Sequence, residues 1–343
     1  MNLDDYSYKL DDKLIAKYPP KTRGTTRLLV LDRKTGDIVD SEYSKLDEYL
    51  RANDLLVINN TRVIKARLQA VTETGKPREL LILERHQQAI DKRAFKVMYR
   101  GKLEPSQILM VGDQKIKVLK LNDDGTAIVS SDMDVYKLSD EYGSVPLPPY
   151  LKRDAQQQDT IRYQTVIAKE PGSVAAPTAS LNITNNLLNK LDSKGVKTTE
   201  LTLHVGLGTF MPIRVDNLSD HKMHQEYFEI PGDSASSIIE AKKSGNRVIA
   251  VGTTVTRALE YSAPSIIGSS AKLPISGEAD IFIYPGYNFK IVDAMVTNFH
   301  APKSTVLMMA AAFAGWDNLK RAYDHASKHK YSFLSYGDSM LII

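Results

Sequence analysis

The chain contains no cysteine, which excludes disulfides, thiolate catalysis and cysteine-ligated zinc or iron–sulfur centres. It also lacks any apolar run near the roughly 20 residues that a membrane span needs. The start, Met1 to Leu10, has neither the basic nor the apolar region of a secretory signal. Neither a Walker phosphate loop nor a three-glycine dinucleotide fingerprint is present: Gly206-Leu-Gly208 has two glycines and no third. Internal repeats and low-complexity segments are missing as well. These absences leave a cytoplasmic protein without a membrane partner as the expectation. A length of 343 residues allows two domains, and a net charge of +4 permits a nucleic-acid partner without demanding one.

What is there reads as an α/β chain with an interruption. Arg27–Asp32 and Asp54–Asn59 are short apolar runs expected to be buried strands, with a helix between them beginning at Ser44. From Val63 onward the pattern changes to period-two alternation: Ile64, Ala66, Leu68 and Ala70, then Phe95, Val97 and Tyr99, then Ile116 and Val118. Turn signals at Thr74-Gly75, Val111-Gly-Asp113 and Asp123-Asp-Gly125 separate these runs. No helix is expected there, so residues 63–149 read as a small antiparallel β-barrel inserted into a complex, discontinuous α/β main domain of residues 1–62 and 150–343. The barrel's outward positions carry many lysines and arginines, which suit either solvent or an RNA backbone.

After the proline-rich return Gly143–Tyr150, a strand is expected over Arg162–Ile167. Strand–turn–helix units then recur, with strands at Leu201–Val205, Arg247–Val251, Asp280–Tyr284 and Val292–Val296, and an all-round apolar helix over Pro302–Ala314. Pro171–Thr184 combines glycine, small residues and proline, so its backbone can approach a ligand closely, and Pro177 and Thr178 supply helix-start signals. Five turns share one design, a strand end followed by Gly, Thr or Asn: Asn59–Arg62, Gly206–Thr209, Gly252–Thr254, Tyr284–Tyr287 and Thr297–His300. On parallel strands such turns gather at one sheet edge. His221, His224 and Glu226, with His204, form the most ligand-like cluster. An organic-ligand or acid/base role is favoured over a metal, because the spacing matches no zincin helix.

Together the blocks resemble the S-adenosylmethionine:tRNA ribosyltransferase-isomerase family of queuosine biosynthesis. The resemblance is carried by Asn59-Asn-Thr-Arg-Val63, Pro146-Leu-Pro-Pro-Tyr150, Tyr163-Gln-Thr-Val166 and Gly172–Thr178. It continues through Thr202–Phe210, His221–His224 with Glu226, Val251–Thr254 with Arg257, Tyr284–Tyr287, Thr297–His300 with Pro302–Thr305, and Ser335–Asp338. It implies transfer and isomerisation of the ribosyl moiety of S-adenosylmethionine onto 7-aminomethyl-7-deazaguanine at the wobble position of a tRNA with a G-U-N anticodon, releasing adenine and methionine. On that chemistry a base must reach the acidified C5′ hydrogens and an acid must assist adenine departure. His204, His221, His224 and Glu226 are the acid/base candidates. Ser173, Ala175, Ala176, Thr178, Gly206, Gly208, Thr209, Gly252, Thr253, Thr254, Tyr284, Tyr287, Asn298 and His300 are candidate S-adenosylmethionine contacts. Asn60, Thr61, Arg62, Arg257 and Lys303 are candidate tRNA-substrate contacts. No metal and a monomer are expected. Two motifs depart from the family pattern: Ser180-Leu-Asn-Ile-Thr184 stands where the family has Gly-Leu-His-Phe-Thr, so Asn182 replaces its histidine, and Asn60 replaces its aspartate. A divergent enzyme using S-adenosylmethionine on another acceptor, or a non-catalytic tRNA-binding relative, are the alternative expectations.

Overall fold

The computed structural model describes residues 2–83, 93–206, 208, 213, 215–268 and 273–343. In chain order the strands begin with β1 (Arg27–Leu31), β2 (Ile38–Glu42), β3 (Leu55–Asn59) and β4 (Thr61–Val63). Next come β5 (Arg67–Thr72), β6 (Pro77–Ile82), β7 (Ala94–Arg100), β8 (Ile108–Val111), β9 (Gln114–Leu121), β10 (Thr126–Ser131) and β11 (Gly143–Ser144). The rest are β12 (Glu170–Ser173), β13 (Lys197–Leu203), β14 (Glu226–Ile230), β15 (Val248–Val251), β16 (Ile275–Ala279), β17 (Ala294–Asn298) and β18 (Ser339–Ile342). Nine of them form one sheet in the order β16-β14-β13-β3-β15-β17-β18-β1-β2. Its centre, β13, β3, β15 and β17, is parallel.

β15 and the first four residues of β3 are apolar throughout because both faces of the sheet are covered there, so neither set of alternating side chains meets water. Leu55 and Val57 point into one core together with Leu201, Ala250 and Met295. Leu56 and Ile58 point into the other with Ile249, Val251, Leu187 and Leu191. The helix Thr305–Ala314 is buried at nearly every position, as its all-round apolar sequence requires.

The insert is a barrel. Strands β5-β6-β7-β10-β9-β8 pair antiparallel in turn, and a further β5–β8 pairing closes the ring. Alternation fills its interior with Leu68, Ala70, Leu80, Val97, Ile116, Val118 and Val129, while Lys115, Lys117 and Lys120 face solvent. The α/β architecture with an inserted antiparallel barrel is therefore the one expected.

Four local expectations are corrected. A helix, Val135–Tyr142, does lie within the insert: Asp134 caps it by accepting from the Tyr136 and Lys137 N–H groups, and Val135 and Leu138 join the barrel core. Arg162–Ile167 is not a strand. The helix Gln157–Arg162 ends there, and Tyr163 is buried edge-on against Tyr336 with ring centres 5.8 Å apart. The strand expected at Asp280–Tyr284 lies earlier, at β16, whose Gly277 offers room for the Phe228 ring of the neighbouring strand. Pro177 and Thr178 begin only a single 3-10 turn, Thr178–Ser180; the helix proper, Asn185–Ser193, starts where Thr184 Oγ1 accepts from Leu187 N.

Candidate active site

Because β3, β13, β15 and β17 are parallel and end together, Asn59–Arg62, Gly206, Gly252–Thr254 and Thr297–His300 come to one edge of the sheet. Tyr284–Tyr287 is the exception, standing in a loop with no strand before it. A cleft opens beside the ends of β15 and β17, with Val205 just past β13 also on its lining. Ala176, Thr178, Gly252, Thr253, Thr254, Asn298 and His300, all predicted, line it together with Tyr150, Ser304, Leu334 and Ser335, to which the sequence reading gave no role.

Each wall follows from local sequence. Gly252 adopts φ +97 between β15 and the helix Thr253–Tyr261, a conformation that favours glycine. This turn brings Thr253 and Thr254 to the cleft at a helix N-terminus, whose unshared N–H groups and dipole favour a negatively charged group. Across from them, Asn298 Oδ1 is buried without a hydrogen-bond partner among the described residues, while its amide donates to Asp338 O at 3.4 Å. His300 Nε2 lies 2.8 Å from Thr297 Oγ1, and desolvation pushes its imidazole down to about 3, so the ring is neutral near pH 7. Tyr150 OH and Ser335 Oγ are 2.5 Å apart on the remaining wall.

A second polar group continues from this cleft. Thr253 and Arg257 are one helical turn apart, on the same face. Arg257 pairs with Glu226 in a contact where both side chains are nearly fully buried, and the other oxygen of Glu226 accepts from Gly206 N at 2.9 Å. The Arg257 Nε is buried without a partner among the described residues. His204, also buried, places Nδ1 2.8 Å from Thr61 Oγ1 and stacks against Tyr227. Gly172, at φ +146, passes so close to this imidazole that a Cβ there would sit 2.9 Å from the ring. Ser173 stitches the same turn to β13: its hydroxyl donates to Ala175 O at 2.7 Å and accepts from Val205 N at 2.8 Å.

His221 and His224 stand at the margin. Burial, with His224 nearby as a second cause, lowers the His221 pKa, and its ring meets Phe282 edge-on at 5.0 Å. Phe282 in turn contacts Tyr284 at 5.1 Å. His224 is exposed and packs against Gly208. Ala175 belongs to the core behind the cleft. Thr209 lies outside the described residues.

Other predicted residues are occupied elsewhere. Asn60 donates to Glu200 at 3.1 Å and accepts from Thr202 Oγ1 at 2.7 Å. Tyr287 OH donates to Glu260 at 3.1 Å. Arg62 is exposed, and Lys303 pairs with Asp4. Among the described residues, no group of three or more His, Asp or Glu is disposed to hold a metal ion, and no helix is long and apolar enough to cross a membrane.

Comparison with known proteins identifies this arrangement. The queuosine biosynthesis protein family matches residues 3–342. The chain belongs to that family. Among its relatives, the S-adenosylmethionine:tRNA ribosyltransferase-isomerase of Pelodictyon phaeoclathratiforme is 53% identical over 344 residues, with 100% of both chains covered. The enzyme of the same name from Francisella tularensis subsp. novicida is 42% identical over 347 residues, again with 100% of both covered. The crystal structure of the S-adenosylmethionine tRNA ribosyltransferase from Thermotoga maritima aligns with a TM-score of 0.57 and 34% identity, covering 99% of this chain and 100% of that one. Queuosine-family motifs that the sequence reading quoted without assigning roles, Pro146–Tyr150 and Ser335–Asp338, supply the Tyr150–Ser335 wall of the cleft.

Proposed function

We propose that this protein transfers and isomerises the ribosyl moiety of S-adenosylmethionine onto 7-aminomethyl-7-deazaguanine at the wobble position of tRNA, giving epoxyqueuosine-tRNA with release of adenine and methionine. Its tRNA carries a G-U-N anticodon, and the protein acts as a cytoplasmic monomer without a metal. The observation that carries the reading is family membership along the whole chain, with residues of several family blocks lining one cleft.

The cleft suits the donor. The first-turn N–H groups at Thr253 and Thr254 would receive the methionine carboxylate. Asn298 Oδ1 offers an acceptor to the exocyclic amine of adenine, and neutral His300 leaves the sulfonium unopposed by a second cation. His204, beside Thr61, is the first choice for moving a proton; His221, with its depressed pKa, is the second. Residues 63–149 act as the inserted unit that meets RNA, and residues 1–62 with 150–343 as the catalytic unit. The departures at Asn60 and Asn182 lie off the cleft lining. Asn60 is engaged with Glu200 and Thr202, and Asn182 donates to Gly337 O at 3.4 Å.

Incubation with S-adenosylmethionine labelled in its ribose and tRNA bearing the aminomethyl-deazaguanine base tests the proposal. Adenine release coupled to label in tRNA is the expected result. Adenine release without transfer would replace it with a different acceptor, and tRNA binding with neither would make the protein a non-catalytic relative.

A further inference from the structure

A second recess opens on the same rim of the sheet and takes no part in the site described above. Lys9 and Lys13 from the N-terminal segment meet Lys328 and Lys330 from the end of the helix Trp316–Lys328 across it, and Asp11 contributes its one lining carboxylate. All four lysines are exposed. Among the described residues none of them forms an ion pair, whereas nearby Lys152 and Lys303 are matched by Asp12 and Asp4.

The usual neutralisers are already taken. Asp11 spends one oxygen on the Lys13 N–H at 2.9 Å, capping a 3-10 turn. The helix C-terminus would repel an anion, but Arg27 donates to His329 O at 2.8 Å there. Asp40 is answered by Arg27, His325 and Tyr331. A surplus of positive charge is therefore left facing solvent in a concave surface.

Position gives the surplus a meaning. Ser339 is in register with both Asn298 of β17 and Leu28 of β1, so β1 begins at the edge where β17 ends. Two strand spacings separate them, about 10 Å. The loop 331–335 joins the two concavities directly: Tyr331 and Ser332 line the recess, and Leu334 and Ser335 line the cleft. On the other flank, β3 runs through Asn60 into β4 and the barrel. The cleft thus lies between the barrel and the lysine recess along one rim.

We propose that Lys9, Lys13, Lys328 and Lys330 hold the sugar–phosphate backbone of the tRNA substrate on the flank of the cleft opposite the barrel. Lysines act here as point charges on phosphates, which positions RNA without reading its sequence. The inference rests on the proposed tRNA reaction and adds to it a surface that no family motif contains.

The test uses the full chain carrying Lys9→Gln, Lys13→Gln, Lys328→Gln and Lys330→Gln together, with tRNA affinity measured across a range of salt concentrations. The slope of log affinity against log salt should become shallower by about 0.7–0.9 for each lysine that meets a phosphate. S-adenosylmethionine affinity and the melting temperature should stay at their wild-type values. An unchanged slope with wild-type protein that binds and modifies tRNA would overturn this inference alone. Loss of S-adenosylmethionine binding alongside tRNA binding would overturn it too, since the recess would then act through the fold. Wild-type protein that neither binds nor modifies tRNA would instead overturn the proposed function itself, and this inference with it.

Discussion

Nδ1 of His204 and Oγ1 of Thr61 lie 2.8 Å apart, joining two motifs separated by 143 positions in the chain. Thr61 sits where the chain leaves the central strand and His204 just beyond the end of its neighbour, so the parallel β3–β13 pairing creates the contact. Removal of the imidazole by His204→Ala should lower kcat/KM by about 10²–10⁴-fold, the range of a lost acid or base. Thr61→Val, which keeps the side-chain shape, should cost about one net hydrogen bond, near tenfold in kcat, and shift the pH–rate profile. Thr61→Ser should recover most of the loss. A profile unmoved by Thr61→Val would separate this pair from proton transfer.

The Glu226–Arg257 pair makes a prediction about stability. Both side chains are out of solvent, so Glu226→Gln leaves a guanidinium without its counter-charge, at a cost of about 3–5 kcal/mol. Replacing both partners, Glu226→Gln with Arg257→Met, should recover part of that loss in denaturant titrations. Simple additivity of the two single variants would show that the charges do not interact.

Gly172→Ala probes the packing of the histidine. The backbone there is at φ +146, and the added methyl would press on the His204 ring at 2.9 Å. Turnover should fall more steeply than the melting temperature does. The measurement to compare is kcat against the midpoint of thermal unfolding, and an active Gly172→Ala enzyme would mean that the imidazole can move without consequence.

His300 sets an acid limit. Its pKa drops from 6.5 in the unfolded chain to about 3 in the fold, so between those values the unfolded chain binds more protons and stability rises with pH. The contribution approaches about 1.4 kcal/mol for each pH unit within that window and levels off above it. His300→Gln, neutral at every pH, should flatten the acid side of the stability curve. Parallel curves for the two proteins would assign the acid sensitivity to other groups.

The fold was legible wherever burial imposes a period. Leu55–Ile58 and Val248–Val251 are continuous apolar runs because both faces of their sheet are covered, and Leu68, Ala70, Ile116 and Val118 alternate because one face of the barrel is wet. Misreadings fell where a local cap or a single cross-strand contact decides. Asp134 turns an expected loop into a helix, and Gly277 allows a polar stretch to pair beside Phe228. At the site, residues at strand ends were visible, but those brought in by distant loops were not. Tyr150 and Ser335 meet across 185 positions, and no local pattern announces that. Glu260 was invisible for a similar reason. It reads as one more helical acid, yet its carboxylate accepts from the N–H groups of Lys290, Ile291 and Val292 and from Tyr287 OH, fixing that loop from within.

Two short paired strands lie at the entry to the barrel. β4 leads into the barrel, and β12 lies parallel to it, with Val63 opposite Ser173. Those strands also hold the hydroxyl that touches His204 and the glycine against which its ring rests. The entry to the barrel and the supports of His204 are thus built from the same few residues. On the proposed function, a tilt of the barrel under a bound RNA would bear on both supports of the histidine and so couple substrate engagement to the alignment of the proposed proton carrier.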